Sequence, residues 1–178
     1  MARPESTGSE IMSDEAPQKP MAQLTIERIY LKDASFESPG APVIFTEQFR
    51  PEYQVDINTR VNSLGDNRHE VVLTSTVTAT RPEDRTAYIA EVHQAGIFAV
   101  TGVDGAALQQ VLGIACPTTL FPYLREALDA LVIKGSFPPL QLAPVNFEML
   151  YGQAVQQAQA AAAAQEDTTP AADPDVKH

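Results

Sequence analysis

Residues 69–80 read HEVVLTSTVTAT, and their alternation decides the fold. Val71, Leu73, Val77 and Ala79 fall on one side and Thr74, Thr76, Thr78 and Thr80 on the other. That period of two is what a strand with one packed and one solvated face requires. The flanks repeat it. Residues 53–61 set Tyr53, Val55, Ile57, Thr59 and Val61 against Gln54, Asp56, Asn58 and Arg60. Residues 86–100 form a further strand and residues 24–33 the first. Short turns at 65–67 and 81–85 join the last three strands, which predicts an antiparallel meander. The link from the first strand to the second, SPGAPVIFTEQFRPE (38–52), is long, holds three prolines and still displays Val43, Ile44, Phe45 and Phe49.

Past residue 100 the apolar period becomes helical. Asp104 is placed to cap a first piece that carries Leu108, Val111 and Leu112 and stops near Gly113. Thr119 is placed to cap a second, with Pro122 in its first turn, Leu124, Leu128 and Leu131 as its inner stripe, Arg125 paired to Asp129, and Lys134 then Gly135 as its stop. Asn146 is placed to cap a third, where Phe147, Leu150, Tyr151, Ala154, Val155 and Ala158 recur at helical spacing. Strands first and helices after is the order of an α+β domain. Residues 1–22 and 161–178 lack periodicity and are expected to be disordered, which leaves one folded domain over 23–160.

The formal charge of -11 is spread over the folded part and the tails. It repels phosphate backbones and anionic lipid and attracts basic partners, so neither nucleic-acid binding nor membrane insertion is expected. Cys116 is the one cysteine, hence no internal disulfide, and it reads as a small buried side chain. The first twenty residues lack the basic and apolar runs of a secretory signal, and no stretch reaches the roughly 18 apolar residues of a membrane span. A soluble, internal protein is expected.

The tools of an enzyme are missing from the sequence. Gly96, Gly102 and Gly105 are not followed by Lys-Ser or Lys-Thr, so no Walker loop is present; there is no GxSxG elbow. His69, His93 and His178 are scattered, and no Cys/His pair has metal-ligand spacing. Glu83 and Asp84 read as a solvated bend. No catalysis, cofactor or metal is expected. Two irregular apolar segments remain, 38–52 and the stretch with Phe137, Pro138, Pro139, Leu140 and Leu142. Either they cover the sheet, or they stay partly open as an apolar groove for extended, unfolded chain.

Several stretches resemble the bacterial protein-export chaperone SecB. IYLKDASFESPGAP (29–42) is similar to that family's first strand and following turn, and EVVLTSTVTAT (70–80) with AEVHQAGIF (90–98) to its third and fourth strands. GIACPTTLFPYLREAL (113–128) and FPPLQLAPVNFEMLY (137–151) resemble its helical segments. The resemblance covers residues 24–153. It implies a four-stranded antiparallel sheet with a crossover loop after strand one, helices packed on one side, and a homotetramer built as a dimer of dimers. It further implies a cytoplasmic holding chaperone that binds unfolded preproteins and hands them to the motor SecA without a cofactor. Mapped here, the client groove has Phe45 and Phe49 on one wall and Phe137, Leu140 and Leu142 on the other. The SecA-binding residues become Asp33, Glu37, Ile89 and Glu91. Ile89 and Glu91, two apart, share a strand face; as a pattern without the resemblance, these acids read as solvation of an open sheet. The opposite face of that strand, Ala90, Val92 and Gln94, suits burial against helices or another protomer, and it is assigned to the oligomer interface. Two rivals stay open. An enzyme or small-ligand binder would show a deep enclosed pocket with convergent polar groups, and a generic adaptor or antitoxin-linked chaperone on the same scaffold would keep the groove but lose the use of Asp33, Glu37 and Glu91.

Overall fold

A computed structural model describes residues 22–82 and 85–166. The expectations for residues 1–21, for Glu83 and Asp84 and for the end of the tail lie outside the described residues. Four strands alternate as the sequence requires: β1 (Gln23–Glu37), β2 (Glu52–Gly65), β3 (Arg68–Arg81) and β4 (Arg85–Thr101). They form one antiparallel sheet in the order β1-β4-β3-β2. Asp66 and Asn67, with φ of 50° and 59°, make the tight turn of the β2–β3 hairpin, since that turn needs two positive φ values. After β1 the chain crosses over through residues 38–51 to start β2 at the far edge. This connection, with a 3-10 turn at Val43–Thr46, is the crossover loop.

The helical part departs from the three capped pieces expected. Helix α1 (Gly105–Gln110) runs on through a π-helical turn (Val111–Ala115) into α2 (Cys116–Lys134). Gly113 does not stop the helix. It is glycine because a Cβ there would come within 2.5 Å of the Tyr151 ring. Pro117 accounts for the π turn: it has no amide for the ladder and its ring crowds the carbonyl four residues back, so the helix widens there. Thr119 caps nothing, since its hydroxyl donates back to the Ala115 carbonyl at 2.9 Å inside a helix already running. Asp104 makes no side-chain cap either; its backbone carbonyl accepts from the Leu108 amide. The end of α2 is as read. Ser136 (φ 65°) follows Gly135, and the amides of Ser136 and Phe137 return to the carbonyls of Ile133 and Val132. Gly135 leaves room for Phe36, whose ring a Cβ would overlap.

Asn146 does cap α3 (Phe147–Glu166), its Oδ1 accepting from the Met149 amide at 3.0 Å. The helix runs on through Glu166, past the limit of 160 drawn from the sequence. Helix α2 lies on β3 and β4, and between them sits the core: Val71, Leu73, Val77, Tyr88, Val92 and Phe98 from the sheet, Leu112, Leu120, Leu124, Leu128 and Val132 from the helix. Among the described residues no helix is long and apolar enough to cross a membrane.

Two glycines give opposite expectations. Gly113→Ala drives a methyl into Tyr151 and should cost about 1–3 kcal/mol, the usual toll of overpacking. Gly152→Ala, inside α3 with nothing within 4 Å of the added carbon, should gain up to about 1 kcal/mol from helix propensity. Urea midpoints of the two variants, moving in opposite directions from the parent, check both.

Candidate functional site

A helix with its side chains is about 10 Å wide and strands lie about 4.8 Å apart, so one helix covers about two strands. Helix α2 therefore leaves much of the two edge strands uncovered, although Ile29, Ala34 and Phe36 of β1 and Ile57 of β2 still pack against the core. The register puts Tyr53, Val55, Ile57, Thr59 and Val61 of β2 on the same face as Ala79, Val77, Ser75, Leu73 and Val71, the helix side of the sheet. Yet Tyr53, Val55 and Val61 are exposed, and so are Leu24, Ile26 and Leu31 on the same side of β1.

At one end of the bare β2 strip stands an aromatic cluster. Phe137 is its hub, with ring centroids 5.3 Å from Phe45, 5.1 Å from Phe49, 4.8 Å from Tyr88 and 6.2 Å from Phe36. Tyr53 lies across Ala79 from Tyr88. The crossover loop is held against this cluster by buried Ile44, by the Ser38 hydroxyl donating to the Ala87 carbonyl at 2.9 Å, and by Glu47, which pairs with Arg81 and, at 3.0 Å, with Arg85. The two arginines hold the Glu47 carboxyl below the usual carboxylate range. From the other side, Asp129 does not pair with Arg125 as its spacing suggested. Its Oδ1 accepts instead from the amides of Leu140 and Gln141 at 2.9 and 3.0 Å, because the linker to α3 folds back over it.

Of the five residues expected to line a groove, Phe45, Phe49 and Phe137 meet in the aromatic cluster, while Leu142 lies in the core and Leu140 packs against it. Phe137 and Leu142 are 7% and 9% exposed and belong to the core; Phe49 and Leu140 are half-buried, and Phe45 is 50% exposed. At the other end of the strip, a cleft of about 430 Å³ opens between Ile57, Thr59 and Val61 of β2 and Phe147, Leu150 and Tyr151 of α3. Cluster, strip and cleft follow one another along β2 over the nine residues from Tyr53 to Val61, an apolar trough about 26 Å long at the rise of a strand. Sequence reasoning identified the alternation of β2 and missed that its apolar side stays uncovered. The signal was there in the last helical segment, which turns to Ala and Gln after Val155 and leaves one strongly apolar helix for four strands.

Among the described residues no helix lies on the other face of the sheet. Register pairs Asp33 with His93, Ser35 with Glu91 and Glu37 with Ile89, so Asp33, Glu37, Ile89 and Glu91 lie together on this open face. Asp33 and Glu37 are exposed, Ile89 and Glu91 half-buried. His93 Nε2 lies 2.8 Å from Glu91 Oε1, and the Thr76 hydroxyl donates to Oε2 at 2.7 Å; together, the imidazole first, they hold the Glu91 carboxyl below its ordinary range. Ala90 and Val92 are fully buried and Gln94 nearly so, beneath α2 of the same chain. Their assignment to an oligomer interface is therefore corrected: the helix has used that surface.

Glu70, unremarked in the sequence, stitches the open face. Its carboxylate accepts from Lys32 Nζ at 2.8 and 2.9 Å, from Asn62 Nδ2 at 2.8 Å and from the Tyr30 hydroxyl, tying β1, β2 and β3 together. Cys116 is buried, and burial pushes its thiol up to about 12, which removes it as a nucleophile. Among the described residues no cluster of three metal-ligating side chains occurs.

The architecture is that of a SecB-like chaperone. The solved SecB-like chaperone of Mycobacterium tuberculosis, in complex with a ChAD peptide from an antitoxin, superposes with a TM-score of 0.58 at 17% identity, covering 69% of this chain and 91% of that one. At the level of sequence, residues 16–158 match the family model described as preprotein translocase subunit SecB. The chain is 51% identical over 149 residues to the protein-export protein SecB of Marinobacter nauticus, covering 83% of this chain and 90% of the relative. It is 50% identical over 154 residues to that of Hahella chejuensis, covering 85% and 95%. The chain belongs to the SecB family of protein-export chaperones.

Lys32, Tyr30 and Asn62 lower the Glu70 carboxyl from 4.5 to about 2. A carboxyl whose folded-state pKa is depressed stabilises the fold above its unfolded pKa, and the contribution is lost as pH falls through the folded value. Parent stability should therefore drop between pH 4.5 and about 2, and Glu70→Gln should flatten that part of the profile. Chemical denaturation across this range is the measurement.

Proposed function

We propose that the protein is a cytoplasmic holding chaperone that binds unfolded preproteins along the β2 trough and passes them to the SecA motor from the open face. The observation that carries this reading is the uncovered apolar strip on β2, continuous with the aromatic cluster. Unfolded chains present apolar and aromatic side chains at intervals, and an extended segment matches the length and straightness of a strand. The outer edge of β2 also leaves backbone donors and acceptors free for an added strand. Each contact is moderate; several of them, repeated over an oligomer, give avidity without one tight pocket. Nothing in the cycle needs nucleotide. Selectivity is kinetic, because a precursor that folds quickly hides the stretches the trough would hold.

The exposed Leu24, Ile26 and Leu31 on edge strand β1 supply a second apolar surface, separate from the trough. Pairing of β1 with β1 of another copy joins two sheets into one and uses up that edge, so a homotetramer as a dimer of dimers brings two such pairs together through the helix side of their sheets, where Leu24, Ile26 and Leu31 are exposed. On the open face, Asp33, Glu37 and Glu91 around Ile89 offer a carboxylate cluster with an apolar centre to a basic segment of the motor. Exposed ion pairs contribute little singly, so the cluster acts as a set and salt weakens it.

Separating the two surfaces tests the reading. Tyr53→Asp with Val55→Asp should abolish suppression of aggregation of an unfolded precursor while leaving SecA binding intact, as read by light scattering and by titration with the motor. Asp33→Ala with Glu91→Ala should do the reverse, weakening SecA at least tenfold with holding unchanged. Holding that survives both aspartates would sink the trough; SecA binding indifferent to the loss of the two acids would leave a chaperone of this family with another partner.

A further inference from the structure

Charges on the open face are sorted along the strands. The rows set by the register run, from one end, through Glu37 with Ile89, then Glu91 with Asp56 across Thr76, then Asp33 and His93 with Asn58 across Thr74. This end is acidic. The next rows bring Ala95 and Val72 with Arg60, then Arg28 beside Ile97, then Arg68 beside Ala99. That end is cationic. Its acids are already engaged, Glu70 by Lys32 and Glu27 by Arg68 at 2.6 Å. Arg28 and Arg60 have no ion-pair partner among the described residues.

Where the two ends meet, a pocket of about 440 Å³ sinks into the face. Arg60, Asn58 and Asn62 of β2 form one side, Lys32 and Asp33 of β1 the other, with Val72, Thr74 and His93 beneath. Asn62 already donates to Glu70, but an arginine with a free fork beside the Asn58 amide is still a donor pair matched to a carboxylate.

We infer that the open face recognises a segment of mixed charge, whose basic residues lie over Glu37, Glu91 and Asp33 and whose C-terminal carboxylate enters the pocket at Arg60. The inference rests on the reading of this face as the motor's docking site and specifies its ligand. The Arg60 row is four residues along β4 from Glu91, about 13 Å in a strand, so the carboxylate of an extended ligand follows its cation by about four residues. The sorted face also fixes direction, since a reversed segment would set its carboxylate against Glu91 and its lysines against Arg60. A purely basic peptide uses only half of the surface.

The test uses the full-length protein and two synthetic peptides at low salt, acetyl-Lys-Ser-Lys-Ser-Thr-Ser-Gly with a free terminal carboxylate and the same peptide as its C-terminal amide. The free acid should bind about three- to fivefold more tightly, the range of one exposed ionic contact. Arg60→Gln should erase that difference and leave the amide's affinity unchanged, whereas Glu91→Gln should weaken both peptides. Equal binding of acid and amide to the parent, an equal loss of both in Arg60→Gln, or no binding of either peptide overturns the inference. SecA binding by the Asp33→Ala, Glu91→Ala variant is read separately, so the docking site can stand when the carboxylate pocket falls.

Discussion

Of the two long helices only α2 packs across the sheet, and one helix cannot cover four strands; the rest of the molecule follows from that shortage. Helix α2 settles on β3 and β4, the two central strands, where it buries the most apolar area. At about 25 cal/mol per Å² of apolar surface, central burial is the larger gain, and the edge strands are left with apolar side chains facing water. In a self-sufficient monomer that would be an aggregation liability. Here the two bare edges differ in kind. The β2 side is flanked by a crossover loop, an aromatic cluster and α3, which give it walls; the β1 side is flat and unwalled, suited to a second copy of itself.

The walls are themselves held by few ties. Glu47 between Arg81 and Arg85 anchors the crossover loop, and Asp129 anchors the linker before α3 through two backbone amides. Between these anchors the aromatic rings meet on Phe137. The arrangement fixes where the trough begins without closing it, since Phe45 and Tyr53 keep half or nearly half of their surface in water. On the reverse side of the same strands, the buried carboxylate of Glu70 collects donors from β1 and β2 and keeps the open face in register, which is what lets its charges sort into an acidic and a cationic end.

Strand pattern was legible because period two is a local property: every strand stands where its alternation put it, and the meander followed from the turn residues. The position of β1 beside β4 was not local; the family resemblance supplied a crossover loop after strand one and the register supplied the neighbour. The helices were misread where one residue type has two uses. Gly113 and Thr119 carry stop and cap signals, but packing against Tyr151 claims the glycine and an i to i-4 hydroxyl bond satisfies the threonine. Asp129 likewise had a partner at helical spacing and took backbone amides from a distant segment. For the site, period and spacing placed Ile89 with Glu91; only the register brought Asp33 and Glu37 to them. Ala90, Val92 and Gln94 were read correctly as a buried face and wrongly as a shared one, because a sequence shows that a face is apolar and not what covers it.

Amide hydrogen exchange, followed with and without an unfolded precursor, tests the trough most directly. Among the described residues the outer-edge amides of β2 have no strand partner, so they should exchange freely in the isolated protein. Bound precursor should slow exchange in β2 and in the crossover loop, with the open-face residues of β4 unaffected. Protection confined to other parts of the chain, with β2 exchanging as before, would contradict the account.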